Sequence, residues 1–168
     1  MPWYFAYGSN MNIERVAARI GETRRVLAGS LEGYALRFNK ASRVPGIAHA
    51  NVVAAPGERV EGALFELLEP EQIRQMDPFE GYPHEYDRHR LPVLTEQGPI
   101  EAWVYIAGAE RQGDGLRPAR EYLEHLLAGR DFLSEGYHQA LAAVEAVEHL
   151  DGFPPSSTYQ FGYCYRRF

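Results

Sequence analysis

A single cysteine, Cys164, is all the thiol this chain has. No internal disulfide can form, and this suits a reducing compartment. No apolar run approaches the ~20 residues of a membrane-spanning helix. The start, Met1-Pro2-Trp3-Tyr4, lacks the charged opening and apolar stretch of a secretory leader. These absences together lead us to expect a cytoplasmic protein that does not engage a membrane. Basic residues are also in deficit: 17 Lys and Arg against 23 Asp and Glu, a net charge of -6. That balance lacks the broad positive footprint of a nucleic-acid binder. It leaves room for an anionic small ligand, because a site can be locally positive on an acidic protein. No repeat, low-complexity tract or linker divides the chain. With 168 residues, 45% of them hydrophobic, we expect a single domain over 1–168.

The pattern of apolar residues is mixed. Trp3 to Tyr7 is a compact aromatic run that reads as a first strand, broken by Gly8-Ser9-Asn10. Ile13, Val16, Ala17 and Ile20 then fall on one helical face, with Gly21 as a stop. Residues 26–38 read as a strand pair or one bent strand. Residues 47–54 and 60–67 read as two strands joined by a turn at Pro56-Gly57-Glu58. A short helix over 69–76 opens on Pro70 and gives way to a loop over 77–83. Residues 86–95 and 100–107 predict a hairpin around Gly98-Pro99. Helical spacing returns over 118–128 and 134–147. The tail from Tyr159 to Tyr165 alternates at period two, like a strand. The strands do not alternate with helices as a dinucleotide-binding fold requires. The expected class is mixed α+β: a curved, mainly antiparallel sheet closing toward a barrel, with flanking helices.

Two segments carry residues suited to chemistry. Tyr7-Gly8-Ser9-Asn10 runs into a helix start, where backbone N–H groups without helical partners can hold an anion or a developing oxyanion. The plainer role is an ordinary helix cap by Ser9 or Asn10. Met76-Asp77-Pro78-Phe79-Glu80-Gly81-Tyr82 sets an acid among aromatics. An apolar surround disfavours the carboxylate and raises its pKa, as a general acid/base needs. The plainer role is a solvated loop glutamate. Asp77 is expected to brace the loop and Glu85 to face solvent. Arg88 and Arg90 share a parity on the following strand. One of them can clamp a substrate carboxylate in a two-pronged contact, or both can belong to a salt-bridged surface.

Other chemistries fit poorly. His84-Glu85 and His89 have neither the His-Glu-x-x-His spacing nor a common helical or strand face, so no metal site is expected. There is no Gly-x-Ser-x-Gly elbow, and Ser9 has no marked His partner. Cys164, in an aromatic strand pattern, reads as buried rather than nucleophilic.

In order along the chain, these pieces resemble the γ-glutamylcyclotransferase (AIG2-like) family. Tyr4-Phe5-Ala6-Tyr7-Gly8-Ser9-Asn10-Met11 is similar to its opening signature. Gly46-Ile47-Ala48 and the stretch Pro56-Gly57-Glu58-Arg59-Val60-Glu61-Gly62 resemble its central strands. Asp77-Pro78-Phe79-Glu80-Gly81 resembles the segment with its catalytic glutamate, which falls on Glu80. Pro118 to Tyr122 resembles the helix start that supplies a substrate-contacting tyrosine, here Tyr122, and the 134–147 helix with Tyr137 also fits. The resemblance covers roughly residues 3 to 148. The tail from about Asp151 departs from it, as does the stretch Tyr82 to Tyr86 beside Glu80.

What the resemblance implies is an enzyme that releases 5-oxoproline and a free amino acid or amine from a γ-glutamyl substrate. Glu80 would be the general acid/base. Tyr4, Phe5, Ala6, Tyr7, Gly8, Ser9, Asn10 and Tyr122 would bind substrate, and strand parity adds Arg88 to them. The reaction is an intramolecular cyclisation and calls for neither metal nor cofactor. Two alternatives stand beside it: a tailoring enzyme that removes a γ-glutamyl cap, and a non-catalytic small-molecule-binding protein on the same fold. The partner is a small molecule in each case, and a homodimer is left open.

Overall fold

A computed structural model describes residues 2–148 of the chain. The strand pattern at Tyr159 to Tyr165, Cys164 and the segment from Asp151 onward lie outside the described residues.

Five strands close into a barrel in the order β1-β3-β2-β4-β5. They are β1 (Trp3–Ala6), β2 (Arg25–Ala41), β3 (Ala48–Glu66), β4 (Tyr86–Thr95) and β5 (Gly98–Ala107). Neighbours are antiparallel except at the seam, where β1 meets β5 in parallel at Tyr4 and Trp103. Four helices flank the barrel: α1 (Ile13–Ile20), α2 (Ile73–Glu80), α3 (Arg120–Leu127) and α4 (Glu135–Ala142). All of β1 is buried, with Phe5 beside Phe65, Leu64 and Val60 in the core. Gly62 allows this fit, because a Cβ there would stand 2.3 Å from the Ala6 carbonyl and 2.9 Å from the Phe5 ring. Closure removes the exposed sheet edges that make open β-structures prone to association. Among the described residues, no helix is long and apolar enough to cross a membrane.

Five details differ from the sequence-based expectation. First, Pro56-Gly57-Glu58 is not a turn between two strands. β3 runs on beside β2 from Ala48 to Glu66, and residues 55–58 bulge out opposite Gly33 alone. Gly33 and Gly57 both take positive φ (83° and 88°), which lets the two strands bend without parting. Second, Gly98 opens β5 with φ 95°, so the hairpin turns at Glu96-Gln97 rather than around Gly98-Pro99.

Third, 77–80 is helix, not loop. Pro78 sits inside α2, and the chain leaves the helix at Gly81, in the left-handed conformation (φ 62°, ψ 32°). The Asp77 carbonyl still accepts from Tyr82 N–H at 3.1 Å. A late proline forfeits one backbone bond, and the burial of Ile73 and Met76 offsets that loss. Fourth, α1 is rotated from its expected face. Val16 and Ile20 are buried, but Ile13 and Ala17 are exposed, and Arg15 turns inward. The last expected helix is also shorter: α4 ends at Ala142, and Val147 returns to donate to the Pro118 carbonyl at 2.8 Å.

Candidate active site

Strand β1 ends at Ala6, and the chain turns through Gly8 into a single 3-10 turn, Ser9–Met11, before α1. Gly8 sits close to its neighbours: a Cβ there would lie 3.1 Å from the Tyr122 hydroxyl and 3.4 Å from the Ala50 methyl. The cap of α1 is Asn12, whose side chain accepts from Glu14 N–H. Ser9 and Asn10 therefore do not serve as its cap. Asn10 is buried and points across to α2.

That orientation joins the two sequence segments. Asn10 Nδ2 donates to Glu80 Oε1 at 3.2 Å and to the Tyr4 hydroxyl at 2.8 Å, and lies 3.4 Å from Met76 Sδ. Its Oδ1 accepts from Arg19 Nη1 at 3.1 Å. The Arg19 guanidinium stacks on the Phe79 ring, 4.9 Å from its centroid. A loop after β1 and the last turn of α2, seventy residues apart in sequence, thus form one wall.

The cavity they enclose is small, ≈ 40 Å³. The wall formed by the Tyr7–Asn10 loop and Glu80 is completed by Tyr4, Phe5, Ala50, Tyr86, Tyr105 and Tyr122. The tyrosines are fixed by backbone and carboxylate partners. Tyr122 accepts from Ala50 N–H at 2.9 Å, and Tyr86 donates to the Ala50 carbonyl at 2.7 Å. Tyr7 donates to the Tyr105 carbonyl, and the Tyr105 hydroxyl donates to Asp77 Oδ1 at 2.6 Å. Such a lining is rigid, apolar in its ring faces and polar at its hydroxyls.

Glu80 is the carboxylate in this lining. Burial pushes its pKa up, while the cations of Arg19, Arg15 and Lys40 pull it back and Asp77 adds to the rise. Its place in the last turn of α2 acts in the same upward direction, because helix C-termini disfavour negative charge. Burial likewise raises Tyr4, Tyr105 and Tyr122, each further raised by Glu80, so all three remain neutral phenols. His49 stacks on Tyr122 at 5.1 Å, and burial holds it neutral, well below the usual imidazole range.

Of the residues expected from sequence, Tyr4, Phe5, Tyr7, Gly8, Ser9, Asn10, Glu80 and Tyr122 line the cavity, and Ala6 and Arg88 do not. Arg88 is committed elsewhere. Its Nε and Nη2 grip both oxygens of Asp77 at 2.8 and 3.1 Å, and its plane lies over Trp103 and Tyr82. Arg90 stands over the same Trp103, so the shared parity of the two arginines holds, but on a surface outside the cavity. Asp77 is indeed a brace. Glu85 is not solvent-facing: it is 9% exposed and pairs with the buried Lys40 at 2.8 Å.

Sequence reasoning missed Ala50, Tyr86 and Tyr105 as lining, and Arg15 and Arg19 as charges acting on Glu80. The strand parity of β5 was a usable signal for Tyr105. For the arginines there was none, because both sit on a helix whose inward face was misassigned. Among the described residues, no three His, Cys, Asp or Glu side chains are gathered as a metal would need.

A family model described as Gamma-glutamyl cyclotransferase, AIG2-like, matches residues 4–124. The chain is similar to CG2811 of Drosophila melanogaster, a candidate gamma-glutamylcyclotransferase, at 36% identity over 58 residues. That match covers 33% of this chain and 36% of the fly protein, so it spans about a third of the curated relative. A solved structure described as Gamma-glutamyl cyclotransferase superposes with TM-score 0.79 at 21% identity, over 99% of this chain and 98% of the other. The uncharacterized human protein loc79017 superposes with TM-score 0.77 at 23% identity, over 88% and 90%. At these identities the two structures establish a common fold.

Proposed function

The chain belongs to the γ-glutamyl cyclotransferase, AIG2-like family, and on that premise we propose that it converts a γ-glutamyl amino acid or γ-glutamyl amine to 5-oxoproline and the free amine. The observation that carries this reading is the meeting of Glu80 and the Tyr7–Asn10 loop in one cavity walled by neutral tyrosines.

A γ-glutamyl group bears its α-amine a few bonds from its γ-carbonyl. Attack by that nitrogen closes a five-membered ring, and the bond from the carbonyl carbon to the leaving nitrogen breaks. A free α-amino group has a pKa near ~8, so at neutral pH it is mostly ammonium and cannot attack. Ring closure strips two protons from the ammonium: Glu80 as carboxylate takes the first and returns it to the departing nitrogen, and the second, released as the ring nitrogen becomes an amide, leaves on the freed amine as its ammonium, so no net proton is consumed. Its raised pKa suits the first half of that cycle, because a stronger acid has a weaker conjugate base and would take the ammonium proton less readily. Gly8, Ser9 and Asn10 line the cavity where the Ser9–Met11 turn begins, and backbone amides without helical partners there would suit either the substrate α-carboxylate or the oxygen of the tetrahedral intermediate. The tyrosine walls hold the chain of the substrate folded, which supplies the orientation the ring closure needs.

The test is 5-oxoproline release from a panel of γ-glutamyl amino acids and amines, with γ-glutamyl-alanine as reference. Release that disappears in Glu80→Gln supports the reading. No release from any member of the panel by the wild-type protein would remove it.

A further inference from the structure

Arg19 lies outside the cavity lining, yet it is one side chain away from Glu80. It donates to Asn10 Oδ1 at 3.1 Å, and Asn10 Nδ2 donates to Glu80 Oε1 at 3.2 Å and to the Tyr4 hydroxyl at 2.8 Å. An asparagine amide can turn over by 180°, exchanging its oxygen and nitrogen at little steric cost. A guanidinium has only donors. With Arg19 in place, the flipped amide would set N–H against N–H on one side and oxygen against carboxylate oxygen on the other. The arginine therefore allows one orientation, in which Asn10 presents a donor to Glu80.

We propose that Arg19 is a positioning residue for Glu80: through Asn10 it fixes a donor on Oε1 and so keeps the carboxylate in its proton-accepting form. This inference rests on the role of Glu80 proposed above. A carboxylate accepts that bond well. A protonated carboxyl would have to surrender an acceptor site to it or turn away, so a locked donor favours ionisation. Without Arg19, Asn10 can turn its oxygen to the acid and stabilise the protonated form instead.

The arrangement has support beyond the hydrogen bonds. Arg19 is braced by its stack on Phe79, the neighbour of Glu80 in α2. Among the groups opposing the upward push of burial on Glu80, Arg19 acts most strongly, ahead of Arg15 on the same helix and Lys40 on β2. Asp77 on α2 pushes the other way. From the remaining walls Glu80 is faced by Tyr4, Tyr105 and Tyr122, which burial holds neutral, and by Tyr86. Arg19 thus acts on Glu80 both directly and through an oriented amide.

The test uses the full chain labelled with 13C at the glutamate δ-carboxyl, the Glu80 signal being identified by its loss in Glu80→Gln. Arg19→Met keeps the aliphatic stem on Phe79 and removes the donors and charge. We expect its Glu80 titration midpoint to rise by about one pH unit, a tenfold change in proton affinity. The acidic limb of kcat/KM on γ-glutamyl-alanine should move by the same amount, while the alkaline plateau stays within a few-fold. Arg19→Lys, which keeps a cation and a donor, should restore most of both. Should the methionine variant not fold, Arg19→Gln carries the same expectation for the titration. An Arg19→Met protein whose Glu80 titrates with the wild type would overturn the proposal. If wild-type protein released no 5-oxoproline, the catalytic reading would fall, and the carboxyl titration would still decide whether Arg19 governs Glu80.

Discussion

Tyr122 and Tyr86 hold the two backbone polar groups of a single residue: the Tyr122 hydroxyl accepts from Ala50 N–H, and the Tyr86 hydroxyl donates to the Ala50 carbonyl. Ala50 stands between His49 and Asn51, whose partners on β2 are Lys40 and Arg37, at a break in strand register. The two tyrosines thus satisfy a stretch of buried backbone where the ladder is irregular, and in doing so they fix two walls of the cavity.

Tyr122→Phe leaves the Ala50 N–H without its acceptor in a buried place. The expected cost is about 1–3 kcal/mol of folding stability, measured by denaturant unfolding, with a rise in KM for γ-glutamyl-alanine. An unchanged unfolding midpoint together with unchanged kinetics would remove Tyr122 from both roles.

Glu80→Gln preserves shape but cannot accept and return a proton. General acid/base catalysis is worth roughly 10²–10⁴-fold. Because Glu80 is assigned two transfers in each cycle, the loss in kcat should fall at the upper end, with the fold retained by circular dichroism. Turnover within a few-fold of wild type would mean the wrong residue or the wrong reaction.

The same variant has a stability signature. The folded-state pKa of Glu80 lies above its unfolded value, so between the two the folded protein binds more protons, and stability falls as pH rises through that window. Glu80→Gln lacks this penalty. Its melting temperature should equal or exceed that of wild type at pH 7–8, and the advantage should shrink as pH approaches the unfolded carboxylate value of ~4.3. A variant less stable than wild type at neutral pH and level with it in acid would show the opposite sign.

Asp77→Asn should separate structure from chemistry. Asp77 receives both Arg88 donors and the Tyr105 hydroxyl. Loss of the charge should cost on the order of 1.5–3 kcal/mol, the range for hydrogen bonds to charged groups. In melts it should be the more damaged protein, and in 5-oxoproline release at low temperature much less so than Glu80→Gln.

Glu85→Gln should be far from silent. Lys40 and Glu85 are 2% and 9% exposed and 2.8 Å apart. Neutralising one partner of such a pair leaves a buried charge uncompensated, at a cost of roughly 3 kcal/mol. Equal unfolding free energies for wild type and variant would count against this.

Several features needed only local sequence. The strand at Trp3 to Ala6, the break at Gly8, the stop at Gly21 and the two strands β4 and β5 follow from period and turn chemistry acting over a few residues. The pairing of the Tyr7–Asn10 loop with Glu80 was legible through the family resemblance, since chemistry on one small substrate requires the two to converge. Other features depended on packing between distant segments. Pro78 reads as a helix breaker until the burial of Ile73 and Met76 carries α2 past it. Arg15 and Arg19 read as a solvated helix face until α1 docks with that face toward Glu80. Glu85 and Arg88 look like surface charges because spacing along a strand says nothing of what covers it. Their partners, Lys40 and Asp77, arrive from β2 and α2 only when the barrel closes. Local propensity is a property of neighbours in sequence. The electrostatics of this cavity belong to neighbours in space, and barrel closure decided them.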